Sequence, residues 1–121
     1  MAHLIIEYSA NLDPEIRPQV IVDTLHAATL ATGAFAMGDV RTRAVCRDVY
    51  RVGSQDVDNA FVHLTVRVDP GHSPQALGMA ADAIFQALAD YLDPIYRCTP
   101  LAISAELQQI DPQFCFKKNK R

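Results

Sequence analysis

Ala60-Phe61-Val62-His63-Leu64-Thr65-Val66-Arg67-Val68 runs directly into Asp69-Pro70-Gly71-His72-Ser73-Pro74, and this stretch decides the fold. Val62, Leu64, Val66 and Val68 alternate with Phe61, His63, Thr65 and Arg67, the period of a half-buried strand. Asp69-Pro70-Gly71 turns the chain. Ser73 then offers a side-chain oxygen to the first free N–H groups of a helix, and Pro74 sits where a missing N–H costs little. Leu77, Ala81, Ile84, Leu88 and Tyr91 recur at helical spacing, so an amphipathic helix is predicted, ending before Asp93-Pro94. A last strand over 101–107 sets Leu101, Ile103, Ala105 and Leu107 opposite Ala102, Ser104 and Glu106. The second half of the chain therefore reads β-α-β.

Working back from there, the first half repeats the order. Residues 3–9 alternate, with Leu4, Ile6 and Tyr8 against His3, Ile5 and Glu7. Residues 11–17 are turn-like. A helix is predicted from Pro18 through Ile21, Leu25, Ala28 and Thr32 to a stop at Gly33, which accepts a left-handed backbone. A strand over 39–47 puts Arg41, Arg43 and Val45 on one side and Val40, Thr42, Ala44 and Cys46 on the other. Residues 48–52 read as a short extra strand, followed by a polar turn at Gly53-Ser54 and onward to Asn59.

Two such units imply parallel crossovers and an α/β (α+β) fold: β-α-β twice, a four-stranded mixed sheet with both helices on one face. Residues 1–121 form a single domain at this length. The other face would carry Ile5, Val45, Phe61, His63, Thr65, Ala102 and Ser104. That set is too apolar to stay wet and too polar for a dry core. Copies of the same chain would cover it, so a closed homo-oligomer is expected.

Composition narrows the function. The apolar N-terminal run is far too short to span a membrane and has no basic leader, so neither anchor nor secretory signal is expected. Cys46, Cys98 and Cys115 lack CxxC spacing, which argues against a zinc site or disulfide framework and favours a reducing cytoplasm. A net charge of −3 argues against general nucleic-acid binding. The RNA-recognition variant of this element order fails too: Ala60-Phe61-Val62-His63-Leu64 lacks the basic-Gly lead and the second aromatic. Yet Arg41, Arg43, Arg47 and Arg51 crowd one stretch near Asp39 and Asp48, and the tail adds Lys117, Lys118, Lys120 and Arg121. A basic cluster inside an acidic protein suggests a local anion site, with solvated surface arginines as the alternative.

The chain starts Met1-Ala2. A small second residue permits loss of the initiator Met, leaving Ala2 with a free α-amine. Such an amine titrates near pH 8, and burial lowers that further, which brings it within range of a base at neutral pH. His3 beside it could tune the amine or satisfy a backbone carbonyl. His63 is expected to hydrogen-bond at an interface and His26 to lie on the surface. Glu7 is open between an arginine partner and an ordinary outward position, and the lysine-rich tail between a solvated end and a reach into a neighbour's site.

Five blocks taken together resemble a known family. They are His3-Leu4-Ile5-Ile6-Glu7-Tyr8-Ser9 with Asn11; Leu30-Ala31-Thr32-Gly33-Ala34-Phe35; Val40-Arg41-Thr42-Arg43; Ala60-Phe61-Val62-His63-Leu64-Thr65; and Asp111-Pro112-Gln113-Phe114 with Phe116-Lys117. In order and spacing they resemble the tautomerase superfamily, and within it the 5-carboxymethyl-2-hydroxymuconate Δ-isomerases. The resemblance implies a cofactor-free, metal-free homotrimer. Its work would be to move a proton within an unsaturated 2-oxo carboxylic acid from aromatic-compound catabolism. It implies an N-terminal base, at Ala2 here where the family carries Pro. It implies Arg41 as the anion binder that stabilises dienolate-like charge. Arg43 shares Arg41's strand face and His72 stands where close members carry Arg, so both are candidate substrate-binding residues. The rival expectation is an anion-binding or scaffolding oligomer that lost turnover with the Pro.

Overall fold

The computed structural model describes residues 1–54 and 58–120. β1 (Ala2–Ser9) leads through α1 (Pro18–Ala31) to β2 (Val40–Arg47), and β3 (Ala60–Val68) through α2 (Pro74–Tyr96) to β4 (Leu101–Gln109). The sheet order is β2-β1-β3-β4. β1 is parallel to β2 and β3 to β4, while the central β1–β3 pair is antiparallel. Each helix thus returns the chain to a strand of the same direction, as a β-α-β unit requires. The antiparallel centre brings the start of β1 beside the end of β3, with Ala2 opposite Val68 and His3 opposite Arg67.

Leu4, Ile6, Tyr8, Val62, Leu64, Val66 and Val68 are buried in one cluster with Ile21 and Leu25 of α1 and Ile84, Leu88 and Leu92 of α2. Both helices therefore cover the same face, and the strand alternation places the polar set on the other. On α1 the third buried position is Thr29, not Ala28; its hydroxyl donates to the Leu25 carbonyl at 2.8 Å, which makes a buried threonine tolerable. Gly33 has φ 74°, the left-handed conformation expected where α1 stops.

Three boundaries differ from expectation. α2 does not end before Asp93-Pro94 but runs through Pro94 to Tyr96. A proline this late removes a single helical donor, and buried Leu92 with Ile95 against the core hold the last turn, closed by the Arg97 N–H on the Asp93 carbonyl. Residues 48–52 form no strand. Instead the Tyr50 ring sits edge-on to Phe61 and Asn59 Nδ2 donates to the Val52 carbonyl at 3.0 Å, so the segment folds against β3 as a loop. Residues 55–57 of the polar stretch, and Arg121 of the tail, lie outside the described residues. Finally, β4 extends to Gln109, and the Ile110 N–H donates to the Val68 carbonyl at 2.8 Å. That bond steers the tail back toward the head of β1.

Candidate active site at the head of β1

Ala2 is fully buried in β1, between Val40 of β2 and Val68 of β3. Its nitrogen is a peptide nitrogen here, because the α-amine belongs to Met1. The Met1 carbonyl accepts from the Asp69 N–H at 3.0 Å, so the β1–β3 pairing continues one step past the strand. This step sets the Asp69 carboxylate against the amine, Oδ2 to N at 2.8 Å, with Asp39 Oδ2 at 3.8 Å on the other side.

Asp69 is a hub. Beyond the amine it accepts from Lys117 Nζ at 3.0 Å and pairs with His72 Nε2 at 3.2 Å. Burial works against its ionisation, but hydrogen bonds from the amine, Lys117 and His72 outweigh that and hold its carboxyl well below the usual carboxylate range. A carboxyl with a depressed folded-state pKa stabilises the fold above its unfolded value, near 3.8, and that contribution disappears as pH falls below it. We therefore expect urea midpoints of wild type to drop more steeply than those of Asp69→Asn between about pH 5 and about pH 2.5. Parallel slopes would show that these contacts contribute nothing to stability.

His72, expected as a substrate contact, is joined to the amine through Asp69. Its ring is held by Asp69 and packs edge-on to Phe35, with centroids 5.2 Å apart. Arg41 also reaches the cluster, through the tail: its Nη2 donates to Asn119 Oδ1 at 3.4 Å, and Asn119 Nδ2 donates to Asp39 Oδ1 at 3.5 Å. Arg43 is exposed and points to a different partner, with Nη1 3.0 Å from His3 Nδ1. A guanidinium can only donate, so Nδ1 is the acceptor and carries no proton. Burial, then the charges of Arg43, Arg41, the N-terminus and Arg67, push the His3 pKa down.

The structure links His72 to the amine through Asp69 and Arg41 to it through Asn119 and Asp39, leaves Arg43 on His3, and adds four residues that sequence reasoning did not name for the site: Asp39, Asp69, Lys117 and Asn119. Asp69 read only as a turn residue, and its alignment with the amine comes from strand register. Among the described residues the tail is tied to its own chain, Lys117 on Asp69 and Asn119 between Arg41 and Asp39. Elsewhere, His26 is half-buried on Thr42 Oγ1 at 2.8 Å, not on the surface. His63 pairs with Ser104 at 2.6 Å within the chain, and Glu7 takes Arg47 at 2.9 Å.

Chemically, this is an amine at a strand end facing two carboxylates, one of which also holds a histidine and a lysine, while the other is joined to an arginine through an asparagine. Such a set can move a proton on an organic anion. A sequence profile for 5-carboxymethyl-2-hydroxymuconate isomerase matches residues 2–121. The chain belongs to that isomerase family. The 5-carboxymethyl-2-hydroxymuconate Delta-isomerase of Escherichia coli is 26% identical over 119 residues, covering 98% of this chain and 94% of the relative. The crystal structure of a 5-carboxymethyl-2-hydroxymuconate isomerase from Deinococcus radiodurans R1 superposes with a TM-score of 0.89 at 30% identity, over 98% of this chain and 90% of that one. At 15% identity the fold recurs in a fused 4-OT described as a symmetric trimer, with a TM-score of 0.59 over 96% and 93% of the two chains. The tautomerase fold that the resemblance implies is therefore the fold of this family member.

Proposed function

We propose that this family member isomerises a small unsaturated 2-oxo acid of the 2-hydroxymuconate type, using the α-amine exposed at Ala2 once Met1 is removed. The observation that carries the reading is the lodging of the chain's first residues. Ala2 is wholly inside the sheet, so loss of Met1 would open its amine at the floor of the space that Met1 fills, beside Asp39 and Asp69. Asp69 is shared with Lys117 and His72, so its charge is spread over several donors and not aimed at the amine alone.

The steps follow from this placement. The neutral amine takes a proton from one position of the conjugated acid and returns it at another, which a base poised near the working pH does best. Negative charge gathers on the dienolate oxygen in between. Arg41 stabilises that charge, and His72 and Lys117 meet the substrate carboxylate as it displaces Asp69. No cofactor enters this scheme. We further propose a cytoplasmic homotrimer acting in aromatic-compound catabolism. The half-buried sheet face that no element among the described residues covers supports self-association, and the symmetric trimer of the fused 4-OT supports the number.

One observation favours a second reading, an oligomer that binds an organic anion without turnover. The Met1 amine is engaged with Asp69 at 2.8 Å and so is not turned to a substrate. Assaying ketonisation of 2-hydroxymuconate by the Met1-free and Met1-bearing forms separates the two. Acceleration by the Met1-free form alone supports the isomerase; equal silence supports the binder.

A further inference from the structure

The tail returns to the head of β1 without packing into it. Its last backbone bond to a strand is the Ile110 N–H on the Val68 carbonyl at 2.8 Å. A single 3-10 turn over Pro112–Phe114 follows, where the Asp111 carboxylate accepts from the Gln113 N–H at 2.9 Å. Beyond that turn, residues 115–120 join no helix or strand, and among the described residues none of them makes a backbone–backbone hydrogen bond. Apolar burial does not hold the segment either. Phe114 is 64% and Phe116 83% exposed, and of residues 111–120 Cys115 alone is half-buried. What ties the segment down, among the described residues, is three side-chain contacts. Lys117 Nζ donates to Asp69 Oδ2 at 3.0 Å, Asn119 Oδ1 accepts from Arg41 at 3.4 Å, and Asn119 Nδ2 donates to Asp39 Oδ1 at 3.5 Å. Each of them ends on a residue of the candidate site.

We propose that residues 115–120 form a strap, pivoting at the Pro112–Phe114 turn, that opens to admit an organic anion to the head of β1 and closes more tightly once the anion is bound. The strap takes from the isomerase reading only that such an anion binds beside Arg41. Exposed ion pairs hold weakly, and a segment with so little buried apolar surface opens far more readily than the fold unfolds. Closure is therefore marginal, and anything that changes the charge beneath the strap shifts it. The direction follows from that charge. Beyond Asp111 the tail carries Lys117, Lys118 and Lys120 and no acidic side chain. Asp39 and Asp69 attract these lysines, while Arg41 repels them. A bound anion neutralises Arg41 and adds negative charge under the lysines, so occupancy and closure favour each other. Lys117 then passes from Asp69 to the anion, and Asn119 keeps its hold on Arg41.

Cys115 lies within the strap and gauges its opening, while exposed Cys98 serves as an internal reference. The full-length protein is labelled with N-ethylmaleimide, an uncharged reagent, and each cysteine is followed by peptide mass spectrometry. Labelling is run in saturating succinate, an unreactive organic anion, and in chloride at the same ionic strength; calorimetry measures succinate binding in parallel. We expect succinate to slow labelling of Cys115 about tenfold, a common size for coupling between two binding events, and to leave Cys98 unchanged. Lys117→Ala should label fast in both salts, and Lys117→Arg should keep the protection. Asn119→Ala should speed labelling several-fold in chloride. A tail that is merely structural would loosen in these variants too, but its wild-type rate would ignore succinate. Cys115 labelling that is unchanged or faster in succinate, or full protection surviving in Lys117→Ala, overturns the strap. The isomerase reading is judged separately. Binding without protection removes the strap and leaves the anion site, whereas neither heat nor protection removes both. Protection without turnover of 2-hydroxymuconate keeps the strap and removes the enzyme.

Discussion

Arg41→Ala should lower kcat/KM for a 2-hydroxymuconate-type acid by about a hundredfold, the loss usually seen when one pre-placed donor to a developing oxyanion is removed. Arg41 stands at the second position of β2, paired with His3, and the tail holds its guanidinium through Asn119. The side chain is half-buried and tethered before substrate arrives, so little ordering remains to be done at the moment of reaction. Arg41→Lys keeps the charge but loses the planar fork, and should recover only part of the activity. Steady-state kinetics on both variants checks this, with circular dichroism to confirm the fold. Activity of Arg41→Ala within about threefold of wild type would remove Arg41 from the mechanism.

Ala2→Pro, in protein with Met1 removed, should raise turnover by about tenfold or more, part of the range that a well-matched general base supplies. A primary amine at the start of a strand rotates freely about its bond to Cα, whereas the pyrrolidine ring fixes φ and aims the nitrogen lone pair. The usual penalty of proline in a sheet, a lost ladder N–H, does not arise at a terminal residue. Residue 2 is fully buried, so the ring must use the room that Met1 occupies. The same variant with Met1 retained should show no gain, because its nitrogen is then an amide. A processed Ala2→Pro protein no faster than wild type would mean that the surrounding pocket cannot use a ring amine.

Much of the architecture was legible because it rests on local periodicity. The alternation in β1 and β3, the Ser73-Pro74 start of α2 and the stop at Gly33 are each written in a few adjacent residues, and each matches the structure. The errors fall where tertiary packing overrides a local signal. Pro94 looks like a stop, yet Leu92 and Ile95 anchor the turn around it. Residues 48–52 look extended, yet their polar atoms and the Tyr50 ring find partners across the loop.

The site divides in the same way. Arg41 and His72 could be named as candidates from the family resemblance, whereas Asp69 could not, because its contact with the amine depends on the antiparallel register that slides it past Val68. Lys117 and Asn119 lie 48 and 78 residues along the chain from the groups they touch. No spacing rule connects positions so distant; the return of the tail after Ile110 does.

The account turns on a free nitrogen at residue 2. The most direct measurement treats Met1-bearing protein with a methionine aminopeptidase and follows intact mass and ketonisation rate in the same aliquots. The account predicts a rate that rises in proportion to the fraction of chains beginning at Ala2. A rate that stays flat while Met1 disappears, whether high or absent, would contradict it.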